Sequence, residues 1–219
     1  MLPSRRFPQH AAPRWLPLIA AGLLGLAGYF GPWVAHRAAG LVVSGLDLGE
    51  YVKFIPQVMS GQIAIRREIF YLPLFAGSVI ASLLASRRSL PPWVRALLGL
   101  GAILLALALL PPAWSPAALR TPEFRLQTAG LIFCLIMVPA IILTRHLPDR
   151  LVLVLIALLA LPAAILPAWG FLDVRPAIAA LYRQPLRMGW GFWAELIGFL
   201  LVAFWAIAQV LTRPAPRRD

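Results

Sequence analysis

Long apolar runs separated by short polar connections dominate the chain. An apolar run of about 18 or more residues is long enough to cross roughly 30 Å of hydrocarbon as a helix. The pattern therefore predicts an all-α fold, a polytopic transmembrane helical bundle of about six spans. The predicted spans cover residues 14–35, 69–86, 93–113, 127–144, 151–172 and 188–211.

The segments outside these spans are too short for a separate soluble domain. Residues 14–212 are therefore predicted to form one membrane domain, with short tails at 1–13 and 213–219. If the amino terminus is inside, the inner connections are short and basic, whereas the outer loops hold most of the acidic residues. Because cytoplasmic loops carry an excess of lysine and arginine, both termini are predicted to be cytoplasmic. The opposite orientation stays open.

The connection between the first two predicted spans has a helical period of its own. Over residues 47–60, apolar side chains recur every three or four positions and polar side chains occupy the other faces. Asp47 is placed to cap this helix, and Pro56 interrupts it. A helix this short and polar cannot span a membrane, so it is predicted to lie at the outer interface.

This interfacial helix has two interpretations. It either shields the outer mouth of the bundle, or it acts as a gate or a docking platform for a partner. The second interpretation draws its candidate residues from the helix and from the charged connection that follows. They are Asp47, Glu50, Tyr51, Lys53, Phe54, Arg66, Arg67 and Glu68. Capping alone accounts for Asp47, and a solvated pair three residues apart accounts for Glu50 and Lys53.

Glu195 is the one acidic residue placed well inside a predicted span. An ionisable group at membrane depth is a candidate functional residue, because burying it is costly. We consider it part of a hypothetical substrate or ion pathway with Gln209 on the same helix and with Arg187 and Arg175 on the preceding loop. The alternative is a structural ion pair or a protonated, hydrogen-bonded carboxyl.

Small residues provide the close contacts through which helices associate in membranes. Two spans carry them at helical spacing: Gly22, Gly25, Gly28 and Gly31 in the first, and Gly77, Ala81 and Ala85 in the second. These two faces are predicted to pack against each other. A contact between copies of the chain in a homo-oligomer is the alternative use of the same faces.

Composition supports the membrane assignment. Hydrophobic residues make up 61% of the 219 residues and charged residues only 13%, and the mean hydropathy is +0.82. These values lie far outside the range of soluble proteins. The net charge of +12 is spread over many connections, so it indicates anionic lipid headgroups rather than nucleic acid. The single cysteine, Cys134, excludes an intramolecular disulfide.

The chain lacks the motifs of common catalytic and cofactor chemistry, including HExxH, GxSxG, CxxC, Walker A and GxGxxG. No metal or cofactor is predicted. The leading hypothesis is a non-enzymatic, permease-like or accessory subunit in the plasma or inner membrane, with other membrane subunits or an ATPase as candidate partners. A self-contained carrier for a proton-coupled or amphiphilic solute, using Glu195, is the alternative. A third hypothesis is an intramembrane or lipid-modifying enzyme built from the outer acidic residues.

Overall fold

The computed structural model describes residues 15–35, 42–112, 115–183 and 185–212. Most of these residues are helical, which confirms the predicted all-α class. The predicted cytoplasmic tails, 1–13 and 213–219, lie outside the described residues.

The described part of the chain forms nine α-helices. They are α1 (Leu16–Phe30), α2 (Gly45–Tyr51), α3 (Pro56–Met59), α4 (Leu72–Ala85), α5 (Pro92–Leu107), α6 (Arg125–Met137), α7 (Ile141–Thr144), α8 (Asp149–Tyr182) and α9 (Trp190–Thr212). Three short 3₁₀ segments accompany them, Val52–Phe54, Arg67–Tyr71 and Ala118–Arg120. Three short strands, β1 (Pro32–Ala35), β2 (Val43–Ser44) and β3 (Arg187–Met188), form an antiparallel sheet in the order β2-β1-β3.

Three helices of the described chain are long and apolar enough to cross a membrane, fewer than the six predicted. They are Arg67–Ala85, which includes a 3₁₀ segment, Asp149–Tyr182 and Trp190–Thr212. The other three predicted spans contain shorter apolar helices, α1, α5 and α6. Proline accounts for two of the differences, because inside a helix it removes a backbone hydrogen bond and kinks or breaks the helix. Pro32 comes two residues after α1 ends at Phe30, and Pro139 lies between α6 and α7 in the fourth apolar run.

The longest helix, α8, extends beyond the predicted span. The prediction ended this span at residue 172 and placed Arg175 on a loop, but the helix continues to Tyr182 through three internal prolines. Its 34 residues make it about 50 Å long at 1.5 Å per residue. Since a hydrocarbon core is roughly 30 Å thick, the helix is long enough to project beyond it.

The glycine face of α1 packs chiefly against α9, not against the α4 face that the small-residue pattern predicted. A Cβ added at Gly28 would lie 2.2 Å from the backbone nitrogen of Glu195. One added at Gly198 would lie 2.2 Å from the backbone nitrogen of Gly25. The backbones of α1 and α9 therefore touch at points where a glycine on at least one of the two helices leaves room for the other.

The small sheet was not predicted. It lies where α1 ends and α9 begins. Trp33 of β1 is fully buried and makes edge-on ring contacts with Phe171 of α8 and Phe192 of α9, with centroids 5.5 Å apart in both pairs. The amide of Gly189 donates to the carbonyl of Trp33 at 2.8 Å. The sheet thus connects the end of α1 to the start of α9, directly beside α2.

Residues 47–60, which were predicted to form one helix, are helical in separate pieces, and Pro56 begins the last of them. Ser44, rather than Asp47, is the capping residue: its hydroxyl accepts from the amide of Asp47, and the Asp47 carboxylate accepts from the amide of Ser44. Ile55 is extended, with ψ of 123°, as expected before a proline. The segment 45–59 therefore consists of α2, a 3₁₀ segment and α3, which we call the α2–α3 segment.

Candidate functional site

Polar side chains from three separate parts of the chain meet beside α2. They come from the α2–α3 segment, from the 3₁₀ segment Arg67–Tyr71 that leads into α4, and from the first turn of α6 and the residues just before it. We call this group the charge network. Its members are Glu50, Lys53, Arg67, Tyr71, Glu123 and Gln127.

Arg67 is the centre of the charge network, and only 9% of its side chain is exposed. Its Nη1 lies 3.1 Å from Oε1 of Glu50 and 3.4 Å from Oε1 of Glu123. Its Nη2 donates to Oε1 of Gln127 at 3.0 Å and to the carbonyl of Glu123 at 3.1 Å. The guanidinium also lies 4.6 Å from the ring centroid of Phe124. A planar group with several donors suits this position, which a lysine would not satisfy in the same way.

Glu50 receives contacts from three donors. Nζ of Lys53 lies 2.8 Å from its Oε2, and the hydroxyl of Tyr71 donates to its Oε1 at 2.6 Å, an oxygen that Arg67 also contacts. Lys53 reaches Oε1 of Glu123 as well, at 3.1 Å. The pair that Glu50 and Lys53 were predicted to form is therefore real, but it belongs to a larger network and is not simply solvated.

Two local features allow the charge network to form. A Cβ at Gly49 would lie 2.7 Å from Cζ of Tyr71, so the glycine lets the tyrosine ring approach α2 closely. Gln127 donates through Nε2 to the carbonyl of Leu109 at 2.8 Å, which ties the network to the chain just after α5. Tyr71 and Gln127 were not among the candidate residues. Their signal in the sequence was a polar group in the first turns of an otherwise apolar run.

The charges of the network balance among themselves. Glu50 and Glu123 supply two negative charges, and Lys53 and Arg67 supply two positive ones. Such an arrangement favours holding chain segments together over binding a small ion. No family model, curated protein or solved structure matches this chain.

The electrostatic state of Glu50 follows from its surroundings. Burial is the largest influence and disfavours the charged form, but the hydrogen bonds from Lys53 and Tyr71 and the charge of Arg67 outweigh it. Together they hold the pKa of Glu50 below its ordinary value of 4.5. The hydrogen bond to Glu50 in turn raises the pKa of Lys53.

The lowered pKa of Glu50 predicts an acid-dependent loss of stability. A carboxyl whose pKa is lowered by folding stabilises the folded state above its unfolded-state pKa, and this contribution is lost as the pH falls through the folded-state value. We expect the melting temperature in detergent to fall below pH 4.5, and Glu50→Gln to reduce the steepness of that fall. The control is Asp173→Asn, because Asp173 is exposed and makes no ion pair with any described residue. Equal acid slopes in wild type and Glu50→Gln would contradict the prediction.

Three other candidate residues, Asp47, Tyr51 and Phe54, lie in the α2–α3 segment, and two of them make hydrogen bonds that fix it. Asp47 completes the cap of α2 with Ser44. The hydroxyl of Tyr51 donates to that of Tyr182 at 3.3 Å, which connects α2 to the end of α8. Phe54, in contrast, has 68% of its surface exposed and is available for contact with another molecule.

Glu195 lies apart from the other residues of the hypothetical pathway. It is a fully buried residue of α9, and neither carboxylate oxygen has a hydrogen-bond partner among the described residues. Arg175 donates instead to the carbonyl of Leu186 at 3.0 Å. Arg187 is exposed in β3. Gln209, half-buried, lies about 20 Å farther along α9 at 1.5 Å per residue.

Proposed function

We propose that the chain is a multi-pass protein of the plasma or inner membrane, and that it acts as a permease-like or accessory subunit of a membrane complex. Within the part of the chain that the structure describes, three helices are long and apolar enough to cross a bilayer. Large apolar side chains also face outward on helices throughout the bundle, which water would disfavour and lipid tails would not. Examples are Leu23, Leu97, Leu104, Ile136, Leu158 and Phe204.

The α2–α3 segment is, in this proposal, a fixed docking platform on the outer face. The charge network is the observation that carries the proposal. Opening the segment as a gate would separate the buried Arg67 from Glu50, and would also break the hydrogen bond between Tyr51 and Tyr182. Since an unpaired buried charge is costly, a fixed platform agrees better with these contacts than a mobile lid.

The exposed apolar side chains of the platform are its proposed contact points. Met59 has 73% of its surface exposed and Phe54 68%, and both lie in the segment that the network holds in place. Another membrane subunit is the proposed partner of this face. An ATPase is proposed only as a partner of the opposite, cytoplasmic face.

Site-specific crosslinking tests the docking platform. A photoreactive amino acid at Phe54 or Met59 is expected to form a discrete adduct in native membranes with a membrane protein that also co-purifies in mild detergent. The matched control position is Leu158 of α8, which is 62% exposed and should yield only lipid adducts. A native mass equal to the lone chain, together with identical adducts at all three positions, would contradict the proposal.

A self-contained carrier using Glu195 is the second candidate function, favoured by the buried carboxyl without a partner among the described residues. It has less support because α1 lies directly against the backbone of Glu195 at Gly28, so solute access would require α1 and α9 to separate. An enzyme built from outer acidic residues has less support still, since Glu50 and Glu123 are engaged in ion pairs.

A further inference from the structure

Two adjoining cavities lie beside the charge network. One compartment, of about 440 Å³, is lined by the charged residues Lys53, Arg66, Arg67 and Glu68 and by apolar side chains. An apolar compartment of about 550 Å³ runs between α4 and α6. Arg66, Glu68 and Leu126 line both, so the two compartments meet at these side chains. Both volumes fall in the range of about 300–1,000 Å³ that is usual for small-molecule sites.

The apolar compartment has the form of a slot for a hydrocarbon chain. Leu72 and Phe75 of α4 line one wall, and Leu126 and Phe133 of α6 line the other. The ring centroids of Phe75 and Phe133 lie 5.6 Å apart, so these two rings contact each other and a hydrocarbon chain would lie beside them, not between them. Gly130 lines the same compartment, and an added Cβ there would lie 3.7 Å from Phe75, an ordinary contact distance. A larger side chain at this position would therefore occupy space in the compartment.

The junction of the compartments carries one available charge of each sign. Lys53 and Arg67 are engaged by Glu50 and Glu123. Arg66 is exposed and Glu68 is half-buried, and neither makes an ion pair with any described residue. A ligand that satisfies both side chains must therefore offer an anion and a cation close together, next to an apolar chain.

We propose that these compartments bind a phospholipid with a zwitterionic, ethanolamine-type headgroup. Arg66 binds its phosphate, Glu68 accepts hydrogen bonds from its ammonium group, and one acyl chain occupies the apolar compartment. An anionic headgroup without an amine would place its charge beside Glu68 uncompensated. A choline headgroup has no N–H to donate to the carboxylate. The inference needs the membrane location of the proposed function but not its partner protein.

Lipid retention measured by native mass spectrometry tests this site. The full chain is reconstituted in bilayer discs of equimolar phosphatidylethanolamine, phosphatidylcholine and phosphatidylglycerol, then released into detergent. We expect the wild type to retain the ethanolamine lipid preferentially. Glu68→Gln should reduce this preference roughly tenfold, because it removes the hydrogen bond to the ammonium group. Arg66→Gln should instead lower retention of all three lipids roughly tenfold, because each of them carries the phosphate that Arg66 binds. The control Arg120→Gln alters an exposed arginine outside both compartments and should change nothing.

A second pair of variants tests the apolar compartment separately. Gly130→Leu should fill the slot and lower retention of all three lipids, whereas Gly99→Leu on α5, where the surrounding space is open, should not. Melting temperatures in lipid-free detergent confirm that each variant is folded. Any of three results would overturn the proposal: equal retention of the three lipids by the wild type, a preference of the wild type for phosphatidylglycerol, or unchanged lipid retention in Gly130→Leu. Lipid retention without a crosslinked partner would reject only the docking platform.

Discussion

Arg67→Ala is expected to lower the free energy of unfolding by about 3 kcal/mol, which is the lower end of the range for removing one partner of a buried charge pair. The loss is large because the guanidinium contacts Glu50, Glu123 and Gln127 at once. It stays at the lower end because 51% of the Glu123 side chain is exposed, and solvent screens exposed charges.

Chemical or thermal unfolding in lipid-free detergent measures this effect. The matched control is Arg120→Ala, since Arg120 is exposed and makes no ion pair with any described residue, and its stability should remain close to that of the wild type. Arg67→Lys should be intermediate, because it keeps the charge but loses the planar fork. Equal stabilities for Arg67→Ala and Arg120→Ala would show that the charge network does not stabilise the fold.

The same variant connects stability to the proposed function. If Arg67 fixes the α2–α3 segment, its removal should accelerate amide hydrogen exchange within residues 45–59 more than in α8, because exchange reports local opening. Crosslinking from Met59 should then lose its discrete product. Unchanged exchange in this segment would mean that the platform is fixed by its apolar contacts alone.

Gly28→Ala is the second variant with a large expected effect. A methyl group at this position would lie 2.2 Å from the backbone nitrogen of Glu195, and backbone atoms cannot escape by changing rotamer. The helices must move apart, and overpacking of this kind costs about 1–3 kcal/mol or more. Gly198→Ala, which would meet the backbone of Gly25 at 2.2 Å, should behave alike.

The control for this contact is Gly101→Ala in α5, where an added Cβ meets nothing within 4 Å. Its melting temperature should equal or exceed that of the wild type, because alanine favours helix over glycine by up to about 1 kcal/mol. The same substitution is therefore expected to lower the melting temperature at Gly28 and to maintain or raise it at Gly101. A similar decrease for Gly28→Ala and Gly101→Ala would mean that the contact between α1 and α9 tolerates a side chain.

For the glycines of the first apolar run, the sequence predicted a contact face but not the helix that packs against it. The spacing of Gly22, Gly25, Gly28 and Gly31 correctly indicated a face for close helix contact. The choice of partner was wrong, because glycine spacing describes one helix surface and several helices carry small residues. In the fold, Gly191 and Gly198 of α9 meet this face, although they follow it by more than 150 positions in the chain.

The charge network shows the same limit for polar residues. Arg67 contacts Glu50, 17 positions away, and Glu123, 56 positions away. Periodicity relates residues three or four positions apart, so it identified the pair of Glu50 and Lys53 but not the arginine that joins them to α6. Without the network, Glu50 was a candidate only as a residue of the predicted interfacial helix, and Arg67 only as a residue of the charged connection that follows it.

The sequence by itself determined the helical class, the apolar runs and the interruption of the α2–α3 segment at Pro56. These features depend on local forces: the apolar period, the fixed φ of proline and the capping groups of a few neighbouring residues. Only the tertiary structure decided the lengths of the helices, the pairing of α1 with α9 and the burial of Arg67. Those features depend on which distant surfaces meet, and in a chain where most surfaces are similarly apolar, composition does not distinguish one partner from another.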